Sequence, residues 1–297
     1  MPDPTPTPAQ PLVTIVTPSY NQGEFIADAI DSVLSQDYPA IEYLVVDGGS
    51  TDGTLDVLRR YGDRVRWMSG PDDGQTDAIA RGFEAGAGKY LAWLNSDDRY
   101  VPGAISRAVA DLEAHPDAAL AYGYGEFIDR EGHFMMRCAH VEPWDRDRLV
   151  KRLNLILQPA TLFRRDAYVA IGGLDRSLHY VMDYDLWLRL SARYPVRFIP
   201  DVIAQARVYG ETKTETGGLP RMEEMARMIR SNCGRGLPTT YRREMRIALR
   251  YALADAAGKR QPARVVRLAA RITPYMIWAA IWKVRHRRRH RAGCPPA

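Results

Sequence analysis

Cysteine is scarce. The three present, Cys138, Cys233 and Cys294, are too widely spaced for a disulfide framework or a zinc ligand set. They read as reduced thiols of a cytoplasmic protein. Neither GxxxxGK[ST] nor GxGxxG occurs, so the common phosphate-cradling glycine loops are excluded. The apolar stretch Tyr275–Val284 (YMIWAAIWKV) falls short of the roughly 20 residues that a bilayer span requires. Residues 1–11, MPDPTPTPAQP, have five prolines and no apolar run, which excludes a signal peptide and predicts a disordered leader. Acid is absent after Asp255, where Lys283, Arg285, Arg287, Arg288, Arg289 and Arg291 accumulate. These six exceed the whole-chain net charge of +5, leaving −1 for the remainder. The basicity therefore belongs to a tail and not to a folded surface, and no nucleic-acid partner is expected.

What is present is the composition of a globular protein, 46% apolar and 26% charged over 297 residues, enough for one large core with an appendage. From Leu12 to Leu94 short β-branched runs alternate with helical segments. Leu12–Thr17, Glu42–Asp47, Val65–Ser69 and Tyr90–Leu94 read as strands. The first intervening helix is expected to start at Asn21, capped with Glu24; the second starts near Ser50–Thr51 and the third spans Gly74 to Ala87. This order predicts an α/β fold with a mostly parallel, Rossmann-like central sheet flanked by helices. Further strands are expected at Ala119–Tyr124, Phe127–Asp129, Thr161–Arg164 and Arg197–Pro200. An amphipathic helix is expected over Asp183–Tyr194, and from Arg221 onward the chain reads as helical.

Ligands of an open parallel sheet sit outside the carboxyl ends of its strands. Three such ends carry small polar groups and acids: Pro18-Ser19-Tyr20-Asn21, Asp47-Gly48-Gly49-Ser50-Thr51-Asp52, and Asn95-Ser96-Asp97-Asp98. Each alone is compatible with a plain turn; together they suit a nucleotide and metal pocket. Asp47 and Asp52 argue against direct phosphate contact and suit a base edge or ribose. Asp97 and Asp98 offer hard oxygen ligands to Mn2+ or Mg2+. Asp183 is placed to accept a proton in a cleft, yet it also suits a helix cap, and spacing alone does not separate it from Asp185.

In this order the segments VTIVTPSYNQGEFIADAIDSVLSQDYP, EYLVVDGGSTDGT, PDDGQTDAIARGFEAGAGKYLAWLNSDD and GGLDRSLHYVMDYDLWLRL resemble the bacterial family 2 glycosyltransferases. The resemblance implies the GT-A fold for residues 12–215, with a nucleotide-binding half over 12–100 and an acceptor half over 101–215, followed by a helical extension over 216–297. It implies an inverting, metal-dependent transfer of a sugar from a nucleotide-sugar donor to a saccharide or lipid-linked acceptor, as in cell-surface polysaccharide or glycolipid synthesis. Asp183 matches the catalytic base. Pro18, Tyr20, Asn21, Asp47, Gly48, Asp52, Asp77, Asn95, Asp97 and Arg207 match the donor-binding region, and Asp97 and Asp98 the metal site. Asp72 is the alternative to Asp77 as a pocket residue. Arg207 and Lys213 are expected to close over the diphosphate as a mobile basic loop.

Three positions depart from the family pattern: Gly48 stands where a second acid is common, Asn95 where Asp is common, and Met182 where Glu often precedes the base. The first puts a UDP donor in question. Trp278, Ile281 and Trp282, followed by the Arg cluster, suit peripheral contact of residues 275–291 with the inner face of the cytoplasmic membrane. Two rival readings are a non-catalytic nucleotide-sugar-binding protein and a nucleotidyltransferase.

Overall fold

The computed structural model describes residues 10–152, 154–233, 239–263 and 265–270. The expected leader lies mostly, and the expected membrane-contacting stretch 275–291 wholly, outside the described residues. Among the described residues no helix is long and apolar enough to cross a membrane. The chain divides into two compact units, residues 1–149 with 154–210, and residues 150–153 with 211–297.

Among the described residues the first unit holds nine strands. They are β1 (Val13–Ser19), β2 (Ile41–Asp47), β3 (Arg66–Ser69), β4 (Tyr90–Trp93), β5 (Arg99–Tyr100), β6 (Leu120–Ile128), β7 (Phe134–Arg137), β8 (Thr161–Arg164) and β9 (Val196–Arg207). They form one sheet in the order β3-β2-β1-β4-β8-β6-β9-β5, with β7 paired to β6. The β3-β2-β1-β4 portion is parallel. Beyond it the sheet is mixed: β8 runs antiparallel to both β4 and β6, while β6 and β9 are parallel. The segment expected as a separate strand at Phe127–Asp129 is the end of β6, and β9 runs seven residues past Pro200.

The crossovers after β1, β2 and β3 carry α1 (Ile26–Leu34), α2 (Thr54–Tyr61) and α3 (Gln75–Ala85). Strand β1, VTIVTPS, is buried along its whole length, as a strand covered on both faces must be. Helix α3 lies close on it because Gly82 has no side chain: a Cβ there would meet Val16 Cγ1 at 2.5 Å. The unit continues through α4 (Ala104–Ala114), part of α5 (Arg146–Arg152), α6 (Arg165–Ala170) and α7 (Met182–Ser191). Below the carboxyl edge Trp93 of β4 stacks on Trp187 of α7 at 5.7 Å, and Phe163 meets both edge-on. Such aromatic contacts each contribute about 0.5–1.5 kcal/mol beyond the area they bury, and this cluster fixes α7 against β4.

The second unit is helical where described. It contains α8 (Lys213–Thr216), α9 (Gly218–Cys233) and α10 (Thr239–Gly258). Met222, Met225, Met228, Ile229, Tyr241 and Leu249 are among its buried apolar residues, and the Tyr241 hydroxyl donates to the Met222 carbonyl at 2.9 Å.

Candidate functional site

The strand order reverses between β1 and β4, and the polar strand ends predicted from the sequence gather on that carboxyl edge. After β1, Asn21 takes a left-handed conformation, φ 53°, open to Asn at small cost. Its amide oxygen accepts from Thr51 N at 2.9 Å, and its own N donates to Ser50 Oγ at 2.7 Å. Asn21 thus ties the first loop to the second and does not cap a helix. The expected capping pair is replaced by a start at Ile26, and Glu24 forms a two-pronged pair with Arg130 at 2.7–2.8 Å. Pro18 is buried within β1, whereas Tyr20 is 61% exposed.

After β2, the Asp47 carboxylate is buried and organises its own loop. It accepts from Gly49 N at 3.0 Å, Ser50 N at 2.9 Å, Ser50 Oγ at 2.5 Å and Ser69 Oγ at 2.6 Å. Asp52 joins the same loop to the first by accepting from Gly23 N at 3.0 Å and Thr54 N at 2.9 Å. Burial pushes the Asp52 carboxyl up, but these bonds outweigh it and hold the group below the usual carboxylate range.

After β4, Asn95 sits at the centre of a network. Its Oδ1 accepts from Gln75 Nε2 at 2.8 Å, and its Nδ2 donates to Asp98 Oδ2 at 2.9 Å and Gln158 Oε1 at 3.1 Å. Gln158 Nε2 donates to the Trp93 carbonyl at 2.8 Å, which fixes the sense of the chain of bonds. The two neighbouring acids then diverge, although both were expected to face the pocket. Asp98 is 5% exposed, its Oδ1 accepting from Arg207 N at 3.0 Å. Asp97 is half-buried, its Oδ2 accepting from the Tyr209 hydroxyl at 3.0 Å. Burial raises both carboxyls above their ordinary range, and the charge of Asp97 raises Asp98 further. Two crowded like charges of this kind are what a divalent cation relieves, so the residues fit a metal, with Asp97 presented and Asp98 behind it.

Arg207 corrects the sequence reading. It is the last residue of β9 and its side chain is 1% exposed, so it is not part of a mobile loop. Its guanidinium donates to the Asp97 carbonyl at 2.9 Å, the Asp129 and Arg130 carbonyls at 3.2 and 2.6 Å, and Asp28 Oδ2 at 2.8 Å. It lies over the Phe25 ring at 4.9 Å. This arginine braces the loop after β4. Asp77 is 8% exposed and paired to Arg176 at 2.8 Å and Arg81 at 3.8 Å, which joins α3 to the segment before α7. Lys213 belongs to α8 in the second unit.

On α7 the two acids left open by spacing have different surroundings. Asp185 is 4% exposed and bonded to Arg189 Nε at 2.7 Å, one helical turn on. Asp183 is half-buried, and its Oδ2 accepts from Asn154 Nδ2 at 2.9 Å. Asn154, Gln158 and Tyr209 were not anticipated. The first two lie in LNLILQP, which carries no pattern; Tyr209 is two residues past Arg207, where no signal marks it. A second acidic group, Asp129, Glu131 and His133, lies in the turn between β6 and β7 with ligand atoms within 4.8 Å. There the Asp129 carboxylate already accepts from His133 N at 2.8 Å, closing the β6–β7 turn.

Residues 14–170 match the model of the family described as Glycosyl transferase family 2. The chain belongs to this family. An uncharacterized glycosyltransferase of Rickettsia prowazekii is 31% identical over 226 residues, 72% of this chain and 69% of its relative. Among solved structures, Staphylococcus aureus TarS residues 1–349 in complex with UDP-GlcNAc superposes with a TM-score of 0.62 at 16% identity, over 80% of this chain and 71% of the other. The mannosyltransferase PcManGT of Pyrobaculum calidifontis, in complex with GDP-Man and Mn2+, superposes with a TM-score of 0.61 at 18% identity, over 92% and 84%. At such identities the superpositions establish the shared fold, GT-A, for this family 2 glycosyltransferase.

Proposed function

We propose that this glycosyltransferase moves a sugar from a nucleoside diphosphate to a hydroxyl of a saccharide or lipid-linked acceptor, with inversion at the anomeric carbon. The observation that carries the reading is the divergence of the two acids of α7. Asp185 is neutralised by Arg189 in the core, whereas Asp183 is half-buried and oriented by Asn154. Asp183 is the base: it accepts the acceptor's proton as the hydroxyl oxygen bonds to the anomeric carbon. The bond from that carbon to the diphosphate breaks from the opposite face, and the diphosphate keeps the electron pair. The first two strand-end loops, laced together by Asn21, Ser50 and Asp52, hold the nucleoside. A divalent cation, Mn2+ or Mg2+, held at Asp97 would neutralise charge on the departing diphosphate. Tyr209 orients the Asp97 carboxylate, and Arg207 fixes the backbone that presents it.

The test is transfer or slow donor hydrolysis across UDP-, dTDP- and GDP-sugars, with product configuration read by NMR. Asp183→Asn is expected to lower turnover by about 10²–10⁴-fold while donor binding persists. Chelation should abolish turnover, and Mn2+ or Mg2+ should restore it. Binding of a donor without turnover by the wild type under all these conditions would instead favour a non-catalytic nucleotide-sugar-binding protein.

A further inference from the structure

Gly48 is the residue directly after β2, and its backbone does not explain the glycine. Gly49 beside it has φ +84°, but Gly48 is not among the residues with positive φ. The reason is steric. A Cβ at Gly48 would lie 2.8 Å from Asp72 Oδ2 and 3.2 Å from Asp72 Cγ. A carboxylate from the segment after β3 therefore occupies the space a side chain after β2 would fill.

Asp72 is half-buried and held in place. Its Oδ1 accepts from Gly74 N at 2.8 Å, at the start of α3. Among the described residues Asp72 makes no other hydrogen bond and no ion pair, so Oδ2 is left as an acceptor over the bare Gly48. The surroundings are those of a ligand edge. Gly48 N donates to the Ser19 carbonyl at 2.8 Å, and the residue after Ser19 is the exposed aromatic Tyr20. A fixed, acceptor-only carboxylate at the carboxyl edge of the sheet, lying over a residue without a side chain, suits the donating edge of a nucleobase. A phosphate there would be repelled.

Resting on the transferase reading above, we propose that Asp72 selects the donor nucleotide by accepting a hydrogen bond from a ring N–H of the base. Uracil and thymine offer N3–H, and guanine N1–H. Cytosine and adenine turn a ring-nitrogen acceptor to the same place, where it would face the carboxylate lone pairs. Asp72 thus supplies from the third strand end the acid that Gly48 lacks.

The experiment is calorimetric titration of the full chain, with Mn2+, against UDP, dTDP, GDP, CDP, ADP and N3-methyl-UDP. At least one ring N–H nucleotide is expected to bind ten times or more tighter than CDP and ADP, in line with roughly 1.5–3 kcal/mol for a hydrogen bond to a charged group. If that nucleotide is UDP, N3-methylation should remove the advantage. Asp72→Asn, which is isosteric and still accepts from Gly74 N, should weaken the preferred nucleotide about tenfold and bring CDP or ADP close to it. The double variant Gly48→Asp with Asp72→Gly should recover the preference. Unchanged affinity and preference in a folded Asp72→Asn, or a wild type that favours CDP or ADP, overturns the assignment and leaves the transferase reading standing. A wild type that binds none of these nucleotides overturns both.

Discussion

Two residues of α7, Asp183 and Asp185, are separated by about 200° around the helix, and that angle decides what each can do. Asp185 points into the aromatic core, where its charge is offset by Arg189. Asp185→Asn is expected to cost roughly 1–3 kcal/mol of stability in urea denaturation, because the half-buried Arg189 guanidinium loses its charged partner. Asp183→Asn should leave the denaturation midpoint near that of the wild type. Part of this was legible: Arg189 follows Asp185 at i+4, the spacing of a helical ion pair. The partner of Asp183 was not, since Asn154 lies 29 positions away in a featureless segment. Arg207 was misread for the same reason: the guanidinium is buried, and its carboxylate partner Asp28 lies 179 positions away. Charge in a sequence looks solvated until its partner is known.

At the scale of elements, the alternating first half could be read directly because each of its parallel strands β1, β2 and β3 is followed at once by the amphipathic helix of its crossover. The packing of α3 on β1 depends on one atom's absence. Gly82→Ala would press a methyl group against the branched, buried Val16, with Cγ1 at 2.5 Å and Cγ2 at 2.7 Å. A loss of about 1–3 kcal/mol is expected, measurable by chemical denaturation, although alanine is intrinsically the better helix former. Propensity and packing thus oppose each other here, and packing wins. The second half resisted prediction because its order is set by distant pairing: β8 inserts between β4 and β6, and β9 is as long as 12 residues although only its first part reads as a strand. The helix starts were also displaced, since Asn21 and Ser50, good cap formers, bond across loops instead.

For the molecule as a whole, all nine strands and the candidate base, donor and metal residues belong to the first compact unit. A chain ending at Gly210 is therefore expected to keep one cooperative unfolding transition and a mixed α/β circular dichroism spectrum. Loss of cooperativity in that shortened chain would show that the sheet unit does not stand alone. Composition had already separated a near-neutral body from a basic end, but it contained no signal for the boundary itself, which depends on where contacts thin out.

The amide of Asn95 has a consequence for how this chain can drift. It both accepts from Gln75 and donates to Asp98 and Gln158. An aspartate in its place would set a third carboxylate against Asp98 and leave Gln158 Oε1 facing another acceptor. Asn95→Asp is thus expected to destabilise this loop, and a change at Gln158 would remove only one of the two clashes, leaving the one with Asp98. The amide therefore does what neither an acid nor a base could do at this position: one side chain serves an acceptor, a donor and a carboxylate at once.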